Sequence, residues 1–312
     1  MKAIAMLAAL AAAAALGACS PGPRQSAAPA PQRPAPMVAH LGAQPEAFAA
    51  IRSEFARRNR GYEIAYHEAL TELPAARRTR VLFAQSGSPK ATCGAVESEI
   101  GIGDIALVRE GDTFRSERPI AALVLEVPEA PPRELPAFIR PDWDPKITDV
   151  PGGCATETGA YRRILLTWEA RNGAYLFHSL NAHRVRMMDS LTHYHPVDGG
   201  FDEFYLVQMA LPEARVVTSR FVDRISQPDT VTEGEAAGLM ESRNLVVGDL
   251  VYLPRGLVHR GLGGVLAQVI TVPGFRPGAQ TGVDPQLLAI NRRLKLEGTR
   301  ALPYNAEAAA QQ

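Results

Sequence analysis

Two strand-like segments recur 145 positions apart, and this repeat constrains the fold more than any other feature of the chain. Residues 103–111 read Gly-Asp-Ile-Ala-Leu-Val-Arg-Glu-Gly, and residues 248–256 read Gly-Asp-Leu-Val-Tyr-Leu-Pro-Arg-Gly. The same offset places Phe114 on His259 and the apolar run 121–128 on 266–273. Two strands repeated with the same gap between them favour a duplicated β unit.

The rest of the folded chain also has the pattern of a β protein. Short β-branched or alternating runs are punctuated by Gly and Pro, which is typical of a sandwich or barrel. Two exceptions predict short flanking helices. Phe48, Ile51 and Phe55 recur at helical spacing, and a second helix begins at Asp284 as a cap and stops by Gly298.

The N-terminal residues predict export. An alanine-rich apolar run follows Lys2 and ends at Leu16-Gly17-Ala18-Cys19, which resembles a bacterial lipoprotein signal over residues 1–19. Cleavage before Cys19 and lipidation of its thiol would anchor the chain to a membrane in the periplasm or cell envelope. An ordinary secretory signal with an incidental cysteine is the alternative. Residues 20–44, rich in Pro and Ala, are expected to form a disordered tether.

Two cysteines remain if Cys19 carries lipid. Cys93 and Cys154 could form a disulfide in an oxidising compartment, or they could be two separately buried thiols. The sequence leaves both open.

The charge balance argues against a nucleic-acid partner. Lys plus Arg and Asp plus Glu each number 33, so the chain has no basic excess to attract a polyanion.

A set of metal-ligating residue types lies in the second repeat. His193 and His195 are two apart on a strand-like run, so their side chains share a face. Glu203 opens the next strand, and His259 follows the Pro254-Arg255-Gly256 turn. Imidazole and carboxylate ligands at these positions predict one metal site.

These residues resemble the cupin superfamily, whose first motif is His-x-His followed by Glu. Its second motif is matched by Gly248, Pro254, Gly256 and His259. The first motif departs from the family, because seven residues separate His195 from Glu203 where three or four are usual. Asp202 therefore competes with Glu203 as the carboxylate ligand, although the apolar strand after Glu203 favours the latter.

The resemblance implies an all-β chain of two tandem cupin-type jelly-roll barrels with short flanking helices. The expected order is a degenerate domain without metal (45–130), a connector (131–159), a metal-binding domain (160–278), and a C-terminal helix and tail (279–312). Aligning the repeats puts Arg80 at the position of Glu203, and Leu70 and Glu72 at those of the two histidines. The resemblance also implies that copies can pair through their outer sheets, while the sequence leaves the oligomeric state open.

A metal-dependent enzyme is the function that the resemblance implies. The metal would be Fe, Mn, Ni or Zn, and the substrate a small carboxylate, phenolic or carbohydrate-derived molecule. An oxygenase, a dioxygenase-like oxidoreductase, comes first, with isomerase and decarboxylase chemistry also expected of such sites. Tyr205 and Arg186 are predicted to act in catalysis, with Gln268 as a third pocket residue. The alternative is a non-catalytic scaffold lipoprotein that binds metal or ligand.

Overall fold

The computed structural model describes residues 34–152, 155, 160–274, 276 and 278–310. The predicted signal peptide, Cys19, most of the tether and Cys154 lie outside these residues. Cys93 is a buried free thiol whose Sγ donates to the carbonyl oxygen of Leu107 at 3.2 Å.

The first sheet is antiparallel and contains seven strands among the described residues. The seven strands are β2 (Glu63–Leu73), β3 (Thr79–Ala84), β4 (Lys90–Cys93), β5 (Val96–Glu99), β6 (Ile105–Val108), β7 (Phe114–Val127) and β8 (Phe138–Ile139). Strand β7 is the centre of the sheet and pairs with β2, β3 and β4. Strand β8 belongs to the predicted connector, which is therefore tied to the first sheet through β6.

The second sheet is also antiparallel and carries the candidate ligands. The strands of this sheet are β1 (Met37–His40), β9 (Arg162–Leu166), β10 (Asn181–Asp189), β11 (His193–Tyr194), β12 (Asp202–Ala210), β13 (Arg215–Ser219), β14 (Glu241–Asn244), β15 (Asp249–Leu253), β16 (Val258–Val272) and β17 (Thr281–Gly282). The long strand β16 is the centre and pairs with β10, β11, β12 and β13. The fold class is thus all-β with two jelly-roll-type units, as predicted.

The register of the two sheets follows the sequence repeat. Val81 of β3 pairs with Leu125 of β7, and Phe204 of β12 pairs with Ile270 of β16. Leu125 and Ile270 are the residues that the 145-residue offset equates. The alignment of β3 with β12 and of β7 with β16 is therefore confirmed by strand pairing.

Alternate residues of β12 separate two cores, because successive side chains of a strand point to opposite faces. Phe204 belongs to a core shared with Val81 and Leu125 of the first sheet. Tyr205 belongs to a second core within the second sheet. Glu203 is two residues from Tyr205 and faces the same side.

Short helices flank the sheets. The helices are α1 (Pro45–Arg58), α2 (Val222–Ile225), α3 (Glu233–Ala236), α4 (Asp284–Leu294) and α5 (Ala306–Ala310), with 3₁₀ turns at Pro228–Thr230 and Gly298–Arg300. In α1, Ile51 and Phe55 are buried as their spacing predicts. The described residues contain no helix that is long and apolar enough to span a membrane.

Two local expectations are corrected. Residues Met37–His40, predicted as part of the tether, form β1, because they pair with the edge of β15 and bury Ala39 there. Asp284 does not cap α4. Its carboxylate instead accepts hydrogen bonds from the backbone nitrogens of Thr192 and Asn305. It therefore links the C-terminal segment to the start of β11.

Candidate metal centre

Strand pairing brings the distant histidines together. His193 of β11 is directly opposite His259 of β16, and Glu203 of β12 is paired with Thr271 of the same strand. His195 follows β11, and its carbonyl oxygen accepts a hydrogen bond from the Gly256 backbone nitrogen at 2.7 Å.

The four side chains form one buried cluster. One nitrogen or oxygen from each of His193, His195, Glu203 and His259 lies within 4.8 Å of every other. None of the four residues is more than 3% exposed. Glu203 is 3.3 Å from Nε2 of His259 and 3.9 Å from Nε2 of His195.

Backbone hydrogen bonds fix how the three imidazoles are oriented. Each Nδ1 lies within hydrogen-bond reach of a carbonyl oxygen, which can only accept, so Nδ1 carries the hydrogen and Nε2 the lone pair. The carbonyls are those of Leu191, Phe201 and Leu257, at 3.3, 3.1 and 3.1 Å.

The cluster fits a metal ion because its inward atoms lack partners. Nε2 of His195, Nε2 of His259 and Oε1 of Glu203 are buried without a hydrogen bond. Unpaired buried acceptors that face one another are costly, and a divalent cation satisfies all of them at once. Three imidazoles and one carboxylate are a donor set used for Fe, Mn, Ni and Zn.

Burial favours the neutral form of the His193 and His195 imidazoles. It lowers the pKa of His193 and of His195 well below the ordinary value, and the adjacent His259 ring lowers both further, against the opposing backbone hydrogen bonds. Neutral imidazole is the form that binds a metal. The site is therefore electrostatically prepared for a cation.

The long segment between the two halves of the first motif is accommodated by a tight turn. Gly199 adopts a φ of 74°, and a Cβ on Gly200 would lie 2.0 Å from the carbonyl oxygen of Pro196. Only glycine fits this approach. The turn therefore reverses the direction of the chain, which allows Glu203 to lie beside the histidines although seven residues separate it from His195.

Asp202, the competing carboxylate, faces away from the cluster. It is fully buried and accepts hydrogen bonds from groups on, or just after, α1 and β15. The donors are Tyr252 OH at 2.6 Å, Asn59 Nδ2 at 2.7 Å, Arg255 N and Nε both at 2.8 Å, and Arg58 Nε at 3.3 Å. Burial alone would raise the pKa of Asp202, but Arg255 and Arg58 outweigh it and lower that pKa. Glu203 is thus the carboxylate that meets the histidines.

The other three predicted site residues, Tyr205, Arg186 and Gln268, lie in three different places relative to the cluster. The Tyr205 ring is buried 6.3 Å from the His259 ring, centroid to centroid. Arg186 is exposed and lines a separate depression with Tyr161 and Met209, so the structure does not bring it to the cluster. Gln268 donates to the carbonyl oxygen of Gly103 at 2.8 Å, which makes it a link between the sheets.

A cavity of about 470 Å³ opens onto the cluster. It reaches His193, His195 and Glu203, and continues along β9 and β10. Sequence reasoning missed the polar residues of its wall, which include Arg162, Asn181, His183 and Thr271. Their alternation along the strands marks them as one face, but only the strand order shows that this face adjoins the cluster.

The first repeat has no such cluster among the described residues. Arg80 pairs with Val108 and Glu126, the counterparts of the residues that pair with Glu203, so its predicted equivalence is confirmed. Phe114, the counterpart of His259, pairs with Leu73 of β2, so Leu73 occupies the position of His193. The prediction that Leu70 and Glu72 occupy the histidine positions is therefore wrong, because irregularities in β2 shift its register.

His183 should make the fold sensitive to acid. Burial, aided by the charge of Arg162, lowers the pKa of His183 to about 3. The unfolded chain binds this proton near pH 6.5, so stability present above that pH is lost as the pH falls. We expect the metal-free protein to lose about 2 kcal/mol more unfolding free energy between pH 6 and pH 4 than His183→Gln does. Urea titrations at each pH measure it, and parallel curves would contradict it.

Solved structures that match this chain include an IolB-like protein and an oxalate decarboxylase. An IolB-like protein from Salmonella typhimurium LT2 matches at 16% identity and a TM-score of 0.48, over 73% of this chain and 89% of that one. A mutant of Bacillus subtilis oxalate decarboxylase matches at 12% identity and a TM-score of 0.46, over 76% and 75%. A structure concerned with the Mn(II) centres of that decarboxylase matches at 11% identity and a TM-score of 0.46, also over 76% and 75%. No family model and no curated protein matches the chain. At this identity and TM-score the likeness assigns no activity to this chain.

Proposed function

We propose that this chain is a metal-dependent cupin-type enzyme that acts on a small polar molecule. The observation that carries the proposal is the cavity, because it leads directly to three of the four candidate ligands. A purely structural ion would be closed off by protein, whereas a catalytic ion keeps an open position.

The protein side chains supply the binding and orientation. His193, His195, Glu203 and His259 would hold the ion, which when bound would polarise a substrate oxygen or activate dioxygen. The backbone carbonyls keep the three imidazoles in a single tautomer. The polar cavity wall would orient the substrate against the open side of the cluster.

The proposed reaction class is oxygen-dependent oxidation, with decarboxylation and isomerisation as the other outcomes of the test. The full chain is loaded with Fe, Mn, Ni or Zn and incubated with a panel of small hydroxy acids, dicarboxylates and catechols. Oxygen uptake indicates an oxygenase or oxidase. Carbon dioxide release without oxygen uptake indicates a decarboxylase, and an isomeric product indicates an isomerase.

An open coordination position can be tested without knowing the substrate. We expect formate or azide to change the visible absorption spectrum of the Co(II)-substituted protein, because a small anion would enter the cavity and bind the ion. Glu203→Gln should hold Co(II) more weakly, since it removes the only anionic ligand. Stoichiometric metal with no anion response and no turnover would instead support the scaffold lipoprotein.

We also propose that the protein works in the periplasm or cell envelope, anchored through a lipid on Cys19. The support is the sequence of residues 1–19 alone. Incorporation of labelled palmitate, lost in Cys19→Ser, tests the anchor. A full-length protein in the soluble fraction of unlabelled cells would contradict it.

A further inference from the structure

The cavity wall forms a polar row that leads away from the candidate ligands. Glu203, Thr271 and Asn181 are paired across β12, β16 and β10, so their side chains lie side by side. Neighbours of this kind are about 5 Å apart. The row therefore begins at the metal-binding carboxylate and crosses two strand spacings, roughly 10 Å.

The row continues to a cation. His183 follows Asn181 on the same face of β10 and is paired with Ile164 of β9. Arg162 lies two residues before Ile164 and therefore shares its side of the strand. Both His183 and Arg162 line the cavity, and the charge of Arg162 acts on His183.

Several atoms of the row need a hydrogen-bond partner. Oδ1 of Asn181, Oγ1 of Thr271 and Nε2 of His183 are buried and have no partner among the described residues. Asn181 is 8% exposed and Thr271 is 2% exposed. An amide oxygen can only accept, so a ligand that completes this row must bring donors such as hydroxyl groups.

The charges of the cavity select an anion. Glu203 is the only acid among the described residues that line it, and Arg162 is cationic. Nη1 of Arg162 donates to the carbonyl oxygen of Val150 at 3.1 Å, which holds the guanidinium in the cavity wall. A guanidinium in a cavity wall is suited to a carboxylate, to which its N–H groups can donate.

We infer that Arg162, His183, Asn181 and Thr271 form a subsite for a hydroxylated carboxylic acid. This inference rests on the proposed function, because it places the substrate's remaining groups against the wall while another part of it faces the cluster. The carboxylate binds Arg162, and the hydroxyl groups donate to Asn181 and complete the hydrogen bonding of Thr271 and His183. A simple dicarboxylate offers only acceptors and leaves the Asn181 oxygen unpaired.

Three probes of equal chain length separate the two requirements. Gluconate carries both a carboxylate and hydroxyl groups, hexanoate carries the carboxylate alone, and sorbitol carries the hydroxyl groups alone. Calorimetry on the EDTA-treated full chain measures binding without any contribution from metal. We expect gluconate to bind at least about tenfold more tightly than either of the others, as each lost hydrogen bond to a charged or buried group implies.

Variants assign the effect to particular residues. Arg162→Gln should weaken gluconate at least about tenfold and leave sorbitol unchanged, because only the carboxylate contact is lost. The double variant Asn181→Ala with Thr271→Val should reduce the preference for gluconate over hexanoate. Arg243→Gln, which alters an exposed arginine on β14, is the matched control and should bind as the unaltered chain does. Thermal melts confirm that each variant is folded.

The outcome is separable from that of the proposed function. Equal binding of hexanoate and gluconate, or no effect of Arg162→Gln, overturns the subsite. If the same protein still holds Co(II) and responds to formate, the proposed function stands. Loss of metal binding overturns the proposed function, while the metal-free calorimetry still decides the subsite.

Discussion

His259→Ala is expected to weaken metal binding by about 100- to 1,000-fold. Structural zinc sites with four ligands gain about 10–16 kcal/mol on binding zinc, and on that scale one ligand contributes roughly 3 kcal/mol. We expect a large loss of metal affinity because His259 is paired with His193 across the strands and its Nε2 is 3.3 Å from Glu203. Competition with a chromophoric chelator measures the affinity, and elemental analysis gives the metal content of the purified variant.

The control for this prediction is His178→Ala. His178 is exposed and lies outside the cluster, so its loss removes a histidine without removing a candidate ligand. We expect its metal affinity to equal that of the unaltered chain. If the two alanine variants retain metal equally, the cluster is not the metal site.

Asp202→Ala is expected to lower the unfolding free energy of the metal-free protein by about 3–5 kcal/mol. The substitution removes the Asp202 carboxylate from the guanidinium groups of Arg58 and Arg255, whose side chains are each only 17% exposed. Removing one member of a buried ion pair has an effect of this size, because the remaining charge stays desolvated. Urea denaturation followed by circular dichroism measures the change.

Asp198→Ala is the matched control for Asp202→Ala. Asp198 lies in the same turn between β11 and β12 but is exposed, so its removal should change stability by less than about 0.5 kcal/mol. Asp202→Asn separates charge from shape, since it keeps the side-chain volume. A stability loss in Asp202→Ala no larger than in Asp198→Ala would contradict the role of the ion-pair network.

Much of the fold could be predicted from the sequence, because the repeat encodes it twice. The 145-residue offset alone equates positions of β7 and β16, such as Phe114 and His259. Helix α1 was found from the spacing of Ile51 and Phe55. Strand β1 was missed, because four residues that pair at a sheet edge have no periodicity long enough to recognise.

The candidate ligands could be predicted from the sequence, whereas the residues of the cavity wall could not. His193, His195 and His259 stand in spaced motifs, whereas the carboxylate was ambiguous until the hydrogen bonds of Asp202 were known. Arg162 and Asn181 carry no motif. Each is an ordinary polar residue of a strand, and only the order β12, β16, β10, β9 places both beside the cluster.

The core shared by the two sheets has a consequence for how the protein can be divided. Val81 and Leu125 pack in it together with their repeat counterparts Phe204 and Ile270. Each sheet thus presents to the other the apolar face that it would otherwise expose to water. The first repeat is therefore needed for stability even though it contributes none of the candidate ligands. Removing it would expose the apolar face of the second sheet to water, and an exposed face of this kind favours aggregation.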